Sequence, residues 1–266
     1  MNDWITVVLL GIIEGLTEFL PISSTGHLLL AQHWLAEQSE LFNVVIQCGA
    51  VLAVIAVFSK RVKDMLVNYN DPKTRDYIFK LAAAFLITCA GALLLKLGGF
   101  TLPKKMEPIA WATFIGGFVI FFIEYSHRNK QLPSDITWLV AITVGLAQVL
   151  AAGFPGTSRS GASILFAMAV GLSRPAATEF SFLVGIPTMM TAGAYEILHE
   201  LKHADPAHPE HWGMVLVGTI VSAFTAFLVV KWLLRFVQSH TFNGFAWYRV
   251  ALGGAIILAI YKHWLA

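Results

Sequence analysis

Glu14-Gly-Leu-Thr-Glu-Phe-Leu-Pro-Ile-Ser-Ser-Thr-Gly-His27 is the stretch on which the reading of this chain turns. It begins inside an apolar run, residues 4–20, and breaks that run with a proline and a dense polar turn. Ionisable side chains in lipid-length apolar sequence are costly and by default functional. Glu14 and Glu18 stand four residues apart, so on a helix they share one face. Two carboxylates that close repel each other: either their ionisation is suppressed or a cation sits between them. Pro21 stops the helix, and Ser23, Ser24, Thr25 and His27 then place hydroxyls and an imidazole in one turn. Irregular polar backbone at membrane depth fits a cavity where water and substrate meet.

Composition agrees with a lipid environment. Of 266 residues, 57% are hydrophobic and only 13% charged, about half the charged share of a soluble domain. The fold class is therefore an all-α polytopic membrane protein. A net charge of +2 with no basic tract interleaved with aromatics excludes a nucleic-acid partner. Cys48 and Cys89 lie in apolar runs without metal spacing and read as buried small hydrophobes. The first segment carries Asp3 and no basic leader, and is expected to be retained.

Apolar runs recur at about 4–20, 41–58, 80–97, 109–124, 136–154, 161–172, 176–198, 213–235 and 246–264. A span needs about 20 residues. The segments at 28–36 and 161–172 are shorter, and each follows a Pro/Gly/Ser break, as in re-entrant helix pairs. A shift of 134 positions brings Gly11 onto Gly145, Glu14 onto Gln148, Pro21 onto Pro155 and Ser24 onto Ser158. The chain thus reads as a single integral membrane domain, 1–266, with internal repeats of about 1–133 and 134–266. Each half is expected to hold a re-entrant helix pair plus three transmembrane helices, and an odd number of spans makes the repeats inverted in topology.

Lys and Arg placement orients the chain. Lys60, Arg61, Lys63, Lys73, Arg75, Lys80, Arg128, Lys130 and Arg235, with Lys231 close by, fall in connections on one side, which is then cytoplasmic. Lys104, Lys105, Lys202 and Lys262 fall on the other, with the His-rich loop at 196–211. Both termini are expected outside, and the two hairpin tips are expected to meet near the midplane.

The second tip reads Gly153-Phe-Pro-Gly-Thr-Ser-Arg-Ser-Gly-Ala-Ser163. Its glycines allow close approach of backbone amides to a ligand, and a helix starting near Ser160 would aim its positive end there. Arg159 adds a planar cationic fork suited to phosphate oxygens. Paired carboxylates, that fork, hydroxyls and one histidine together suit phosphoryl chemistry, in which positioning and charge stabilisation dominate.

The Glu14–His27 motif, followed by Pro155-Gly-Thr-Ser-Arg-Ser-Gly161, resembles the undecaprenyl-diphosphate phosphatase (BacA/UppP, bacitracin resistance) family. The similarity covers essentially the whole chain, including Val44-Val-Ile-Gln47 and Glu179-Phe-Ser-Phe182, with Ser163 where the family usually has threonine. The resemblance implies hydrolysis of a polyprenyl diphosphate lipid, undecaprenyl diphosphate, to its monophosphate on the outer side of the bacterial cytoplasmic (inner) membrane. That reaction recycles the carrier lipid for peptidoglycan synthesis and confers bacitracin resistance. An inverted-repeat fold and a divalent cation, Mg2+ or Ca2+, are implied with it.

On the residue types and the family pattern together, Glu14 and Glu18 are the expected metal ligands, because hard cations take oxygen donors. Ser24 is the expected nucleophile, His27 its base or the acid to the leaving group, and Arg159 the phosphoryl clamp. Ser23, Thr25, Gly156, Thr157, Ser158, Ser160 and Gln47 are expected to bind phosphate or support the tips. Direct attack by water, with Ser24 only binding phosphate, stays open beside this, as does a homodimer. Glu124 reads as a helix-end residue, and His127 as solvated. The rival function is a transporter or flippase of an anionic polyprenyl phosphate lipid, since broken helices also serve transport. The Ser/His pair beside two carboxylates favours an enzyme.

Overall fold

The structure is a computed structural model that describes residues 3–100, 105–128, 130–203 and 210–264; Lys104 and the 204–209 part of the His-rich loop lie outside the described residues. Its elements are α1 (Asp3–Thr17), α2 (Ser24–Trp34), α3 (Glu40–Val57), α4 (Ser59–Val67), α5 (Pro72–Leu97), α6 (Met106–Ser126), α7 (Trp138–Gly153), α8 (Arg159–Ala169), α9 (Arg174–His203), α10 (Trp212–Phe236) and α11 (Asn243–Tyr261). No strand occurs among the described residues. Six helices, α3, α5, α6, α9, α10 and α11, are long and apolar enough to cross a bilayer. At about 1.5 Å per residue, α1, α2, α7 and α8, with 15, 11, 16 and 11 residues, fall short of a 30 Å hydrocarbon core. The chain is a multi-pass helical membrane protein.

Local chemistry places the boundaries. Ser39 caps α3, accepting from the Phe42 N–H at 3.0 Å. Asp71 caps α5, accepting from Thr74 at 2.9 Å, with Pro72 in the first turn. That proline and its aspartate start α5 eight residues before the apolar run at 80–97, because caps and not hydropathy set a helix N-terminus. Thr137 does the same for α7 through Val140 at 3.2 Å.

One element departs from the sequence reading. Residues 59–67, read as part of a connection, form α4, which has no fully buried residue. It carries Lys60, Arg61 and Lys63, while Val62 and Met65 lean on the core. This is the pattern of a helix lying at an interface. Arg61 reaches Glu179 at 3.5 Å and sits 4.6 Å over the Tyr77 ring.

The core lies where α3, α8 and α9 converge: Ala50, Val54, Ile164, Met168, Phe180 and Val184 are at most 1% exposed. The outer faces are the reverse. Leu86, Phe122, Leu216 and Phe224 are 60–72% exposed in mid-helix, a surface that only lipid can cover. Between helices, small residues permit close approach. A Cβ on Gly49 of α3 would sit 2.3 Å from the Thr219 carbonyl oxygen of α10. Exchanging the halves maps the α1–α10 contact onto α7–α5 and the α3–α10 contact onto α9–α5, while α3–α9 and α6–α11 map onto themselves.

Far from the tips, Glu124 closes the bundle. It is 4% exposed and its two oxygens share the single Nε–H of Arg174 at 2.8 and 2.9 Å, with a further bond from Arg174 Nη2 and one from the Phe242 N–H at 2.8 Å. The carboxylate therefore joins α6 to α9 and to the start of α11, a larger role than a helix-end residue. His127 next to it is buried, not solvated, with Nδ1 at 2.7 Å from the Ile123 carbonyl. The two cysteines are half-buried, and not fully enclosed as their sequence setting suggests.

Removing one partner of a buried pair strands the other's charge. Glu124→Ala is expected to cost about 3 kcal/mol or more, read as a lowered thermal midpoint in detergent. The double change Glu124→Leu with Arg174→Met should recover part of that loss.

Candidate active site

Ser23 and Ser158 adopt positive φ, 73° and 70°, which non-glycine residues seldom do and which surrounding structure must enforce. Each is the N-cap of a short helix. Ser23 Oγ accepts from the Gly26 N–H at 3.3 Å, and Ser158 Oγ accepts from the Gly161 N–H at 3.1 Å. The same strained cap thus recurs in both halves. It pairs Ser23, not Ser24, with Ser158, so the repeat offset is 135 at the tips and 134 at the prolines. The second tip accommodates its extra residue with Gly156 at φ +93°, where a Cβ would lie 2.5 Å from the Ile109 carbonyl oxygen. The helix expected near Ser160 begins one residue earlier, at Arg159.

Both helix starts line one cavity of about 620 Å³ between the tips, α5, α7 and α9. Unpaired N–H groups and the positive ends of two helix dipoles therefore face the same space, a disposition suited to an anion.

Glu18 organises the polar end. It lies just past α1, its N–H donating to the Glu14 carbonyl at 2.9 Å, so the two carboxylates keep the helical i,i+4 relation. Glu18 is 6% exposed. Its Oε2 accepts from Ser24 Oγ at 2.5 Å and its Oε1 from Arg159 Nη2 at 2.6 Å. One carboxylate thus touches the expected nucleophile and the expected clamp. Arg159 is also held by the Gly185 carbonyl at 3.5 Å and by contact with Met189 Sδ, both on α9.

Glu14 is fully buried, and neither carboxylate oxygen has a hydrogen-bond partner; its charged neighbours are Glu18 and Arg159. Gln148, its counterpart in the other half, lines the cavity with an unpartnered buried Oε1. Two orphaned carboxylate oxygens beside a second carboxylate suit a hard cation, which is content with one or two protein carboxylates plus substrate and water oxygens. No group of three His, Cys, Asp or Glu side chains converges among the described residues.

Of the residues expected to bind phosphate or support the tips, Ser23, Thr25, Gln47, Gly156 and Ser158 line the cavity. Thr157 and Ser160 do not. Ser160 Oγ reaches the Glu18 and Leu20 carbonyls at 3.0 and 3.1 Å, tying the second tip to the first. His27 is not brought to Ser24. Its Nδ1 lies 2.7 Å from the Ser23 carbonyl and its Nε2 2.6 Å from the Tyr248 hydroxyl, and it lines a separate apolar cavity against α10 and α11.

Arg249 is the residue the sequence reading missed. It is 1% exposed, and its guanidinium donates to five carbonyls: Thr113 and Ala112 of α6, Pro21 of the first tip, and Gly156 and Thr157 of the second, all at 3.0–3.1 Å. A Cβ at Gly116 would stand 2.1 Å from Nη2, so only glycine leaves room for it. The signal was there to use: an arginine inside the apolar run at 246–264 meets the same rule that singled out Glu14.

Residues 7–255 match the family "Bacitracin resistance protein BacA". An undecaprenyl-diphosphatase of Rhizobium etli is 51% identical over 252 residues, 94% of this chain and 95% of its own. Those of Xylella fastidiosa (50% over 254 residues; 95% and 97%) and Xanthomonas oryzae pv. oryzae (47% over 261 residues; 97% of each) are similar.

Lysine offers three donors where arginine offers five. Arg249→Lys is therefore expected to leave tip carbonyls unpaired and to loosen both tips. Hydrogen–deuterium exchange should rise at residues 19–25 and 154–161 while α3 and α10 stay protected.

Proposed function

The chain belongs to the bacitracin resistance protein BacA family, and on that premise we propose that it hydrolyses undecaprenyl diphosphate to undecaprenyl phosphate and orthophosphate. The lipid monophosphate would return to use as a carrier for peptidoglycan synthesis, and an abundant enzyme would confer bacitracin resistance. The observation that carries the chemistry is the single carboxylate, Glu18, bonded at once to Ser24 and to Arg159.

In this reading Ser24 Oγ attacks the terminal phosphorus. The Oγ–P bond forms as the bond from phosphorus to the bridging oxygen breaks. Glu18 Oε2 takes the hydroxyl proton and passes it to the departing lipid phosphate. Arg159 and the backbone amides at the starts of α2 and α8 hold the oxygens on which charge accumulates. Water then attacks the phosphoserine, its proton reaching Ser24 Oγ through Glu18 as orthophosphate leaves. His27 is a positioning residue here: bonded to Ser23 and Tyr248, it fixes the strained turn that presents Ser24. The Ser24–Glu18 contact is what favours this path over direct attack by water.

A divalent cation, Mg2+ or Ca2+, would be held by Glu14 and Glu18. When bound it supplies positive charge toward diphosphate oxygens and offsets the repulsion of the two carboxylates. The apolar wall of the cavity, with Ala92, Leu93 and Ala151, suits the isoprenoid end of the substrate. The cavity reaches the end of α5 at Lys96 and the last third of α9 at Tyr195, away from the basic connections around α4. That supports our reading of an outward-facing site in the cytoplasmic membrane, between halves of opposite topology. The transporter reading has less support: a binding site needs no proton-transfer contact, and the relatives are named for hydrolysis.

Purified protein in detergent, given farnesyl diphosphate and a phosphate-release dye, tests the chemistry without a membrane to cross. Wild type should release phosphate. Glu18→Gln and Arg159→Lys should each lower kcat about 10²- to 10⁴-fold, the lysine failing because it cannot reproduce the fork. Substantial turnover in Ser24→Ala would remove the phosphoserine and leave attack by water.

A further inference from the structure

The cavity contains a second cation that the reaction above leaves unused. Cys89, Leu93 and Lys96 recur on one face of α5, and Thr188, Ala192 and Tyr195 on the facing side of α9. At about 1.5 Å per residue, Lys96 stands about 10 Å along α5 from Cys89. The cavity is therefore a slot, polar at the tips, apolar in the middle and polar again at its mouth. Lys96 Nζ donates to the Tyr195 hydroxyl at 2.7 Å and lies 4.6 Å over the Tyr195 ring. Glu196 lines the same mouth, yet Lys96 forms no salt bridge with it among the described residues. The ammonium is exposed and parked on an aromatic face, and among the described residues no carboxylate forms a salt bridge with it.

We propose that Lys96, parked on Tyr195 at the cavity mouth, is a capture site for the phosphate-bearing headgroup, which it holds before the headgroup descends to Arg159. The inference rests on the hydrolytic reading and adds a specificity residue to it. A cation at the rim of a low-dielectric cleft raises the local concentration of an anionic substrate and its rate of arrival, without touching the reacting atoms. Glu196, of opposite sign at the same mouth, opposes that attraction. The two side chains therefore set KM in opposite directions, which a merely structural role at this rim would not do.

Steady-state phosphate release from farnesyl diphosphate in detergent separates the outcomes. Lys96→Gln should raise KM about three- to tenfold, the size of one partly screened charge, with kcat within about twofold of wild type. Glu196→Gln should lower KM, and Lys96→Arg should keep it. Raising KCl from 50 to 500 mM should raise the wild-type KM and erase most of the difference between wild type and Lys96→Gln. An unchanged KM in Lys96→Gln, a rise in KM in both neutral variants, or a fall in kcat alone each overturns the capture site. Should Lys96→Gln not be recovered folded, the direction of the Glu196→Gln shift decides. Failure of the wild type to release phosphate would instead overturn the phosphatase reading itself.

Discussion

A helix broken inside lipid leaves backbone groups with no water to satisfy them, and this constraint governs the whole molecule. The chain breaks two apolar helices, after α1 and after α7. Side chains then meet several of the freed groups. Ser23 and Ser158 take up the Gly26 and Gly161 amides in the first turns of α2 and α8. Ser160 donates to the Glu18 and Leu20 carbonyls. Arg249 gathers three tip carbonyls and two from α6 into a single guanidinium. The positive φ of both serines is the conformational cost of turning the backbone so sharply there.

The polar contacts within the site follow from that solution. With both tips held, Glu18 and Arg159 meet at 2.6 Å although 141 residues separate them in sequence. Glu18 cannot move without releasing Ser24, and Arg159 is braced against α9 at Gly185 and Met189. At the other end of the bundle Glu124 and Arg174 perform a structural version of the same pairing. Two buried carboxylate–arginine pairs thus serve different purposes, and the difference lies in the surroundings. Glu18 also accepts from a serine hydroxyl beside the starts of α2 and α8, while Glu124 is also bonded to the backbone amide that begins α11.

Much of this was legible from residue order. Apolar runs located the spans, and charged residues inside them marked Glu14 and Glu18. The proline and glycine breaks marked the tips, and Arg159 opposite them was expected. What stayed hidden depends on acceptors that side-chain identity does not reveal. Arg249 stands in an apolar run as Glu14 does, but it bonds only to carbonyls, so no complementary residue type in the sequence named its partners. The hydroxyl that takes up His27 belongs to Tyr248, 221 positions away. The single-residue shift between the tips arises from backbone geometry at Gly156. Helix α4 was concealed because nine residues with three basic side chains in the first turns carry no lengthy apolar signal.

The bonds across the tips also tie the two halves of the chain to each other. Arg249 and Ser160, from the second half, satisfy carbonyls of the first tip, while Thr113, from the first half, reaches the Gly156 carbonyl at 3.4 Å. Each repeat finishes the other's fold. A gene severed in the connection between α6 and α7 would yield two fragments, neither able to shelter its own broken helix. Only their reassociation would restore the pocket, because the bonds that close each tip cross between the halves.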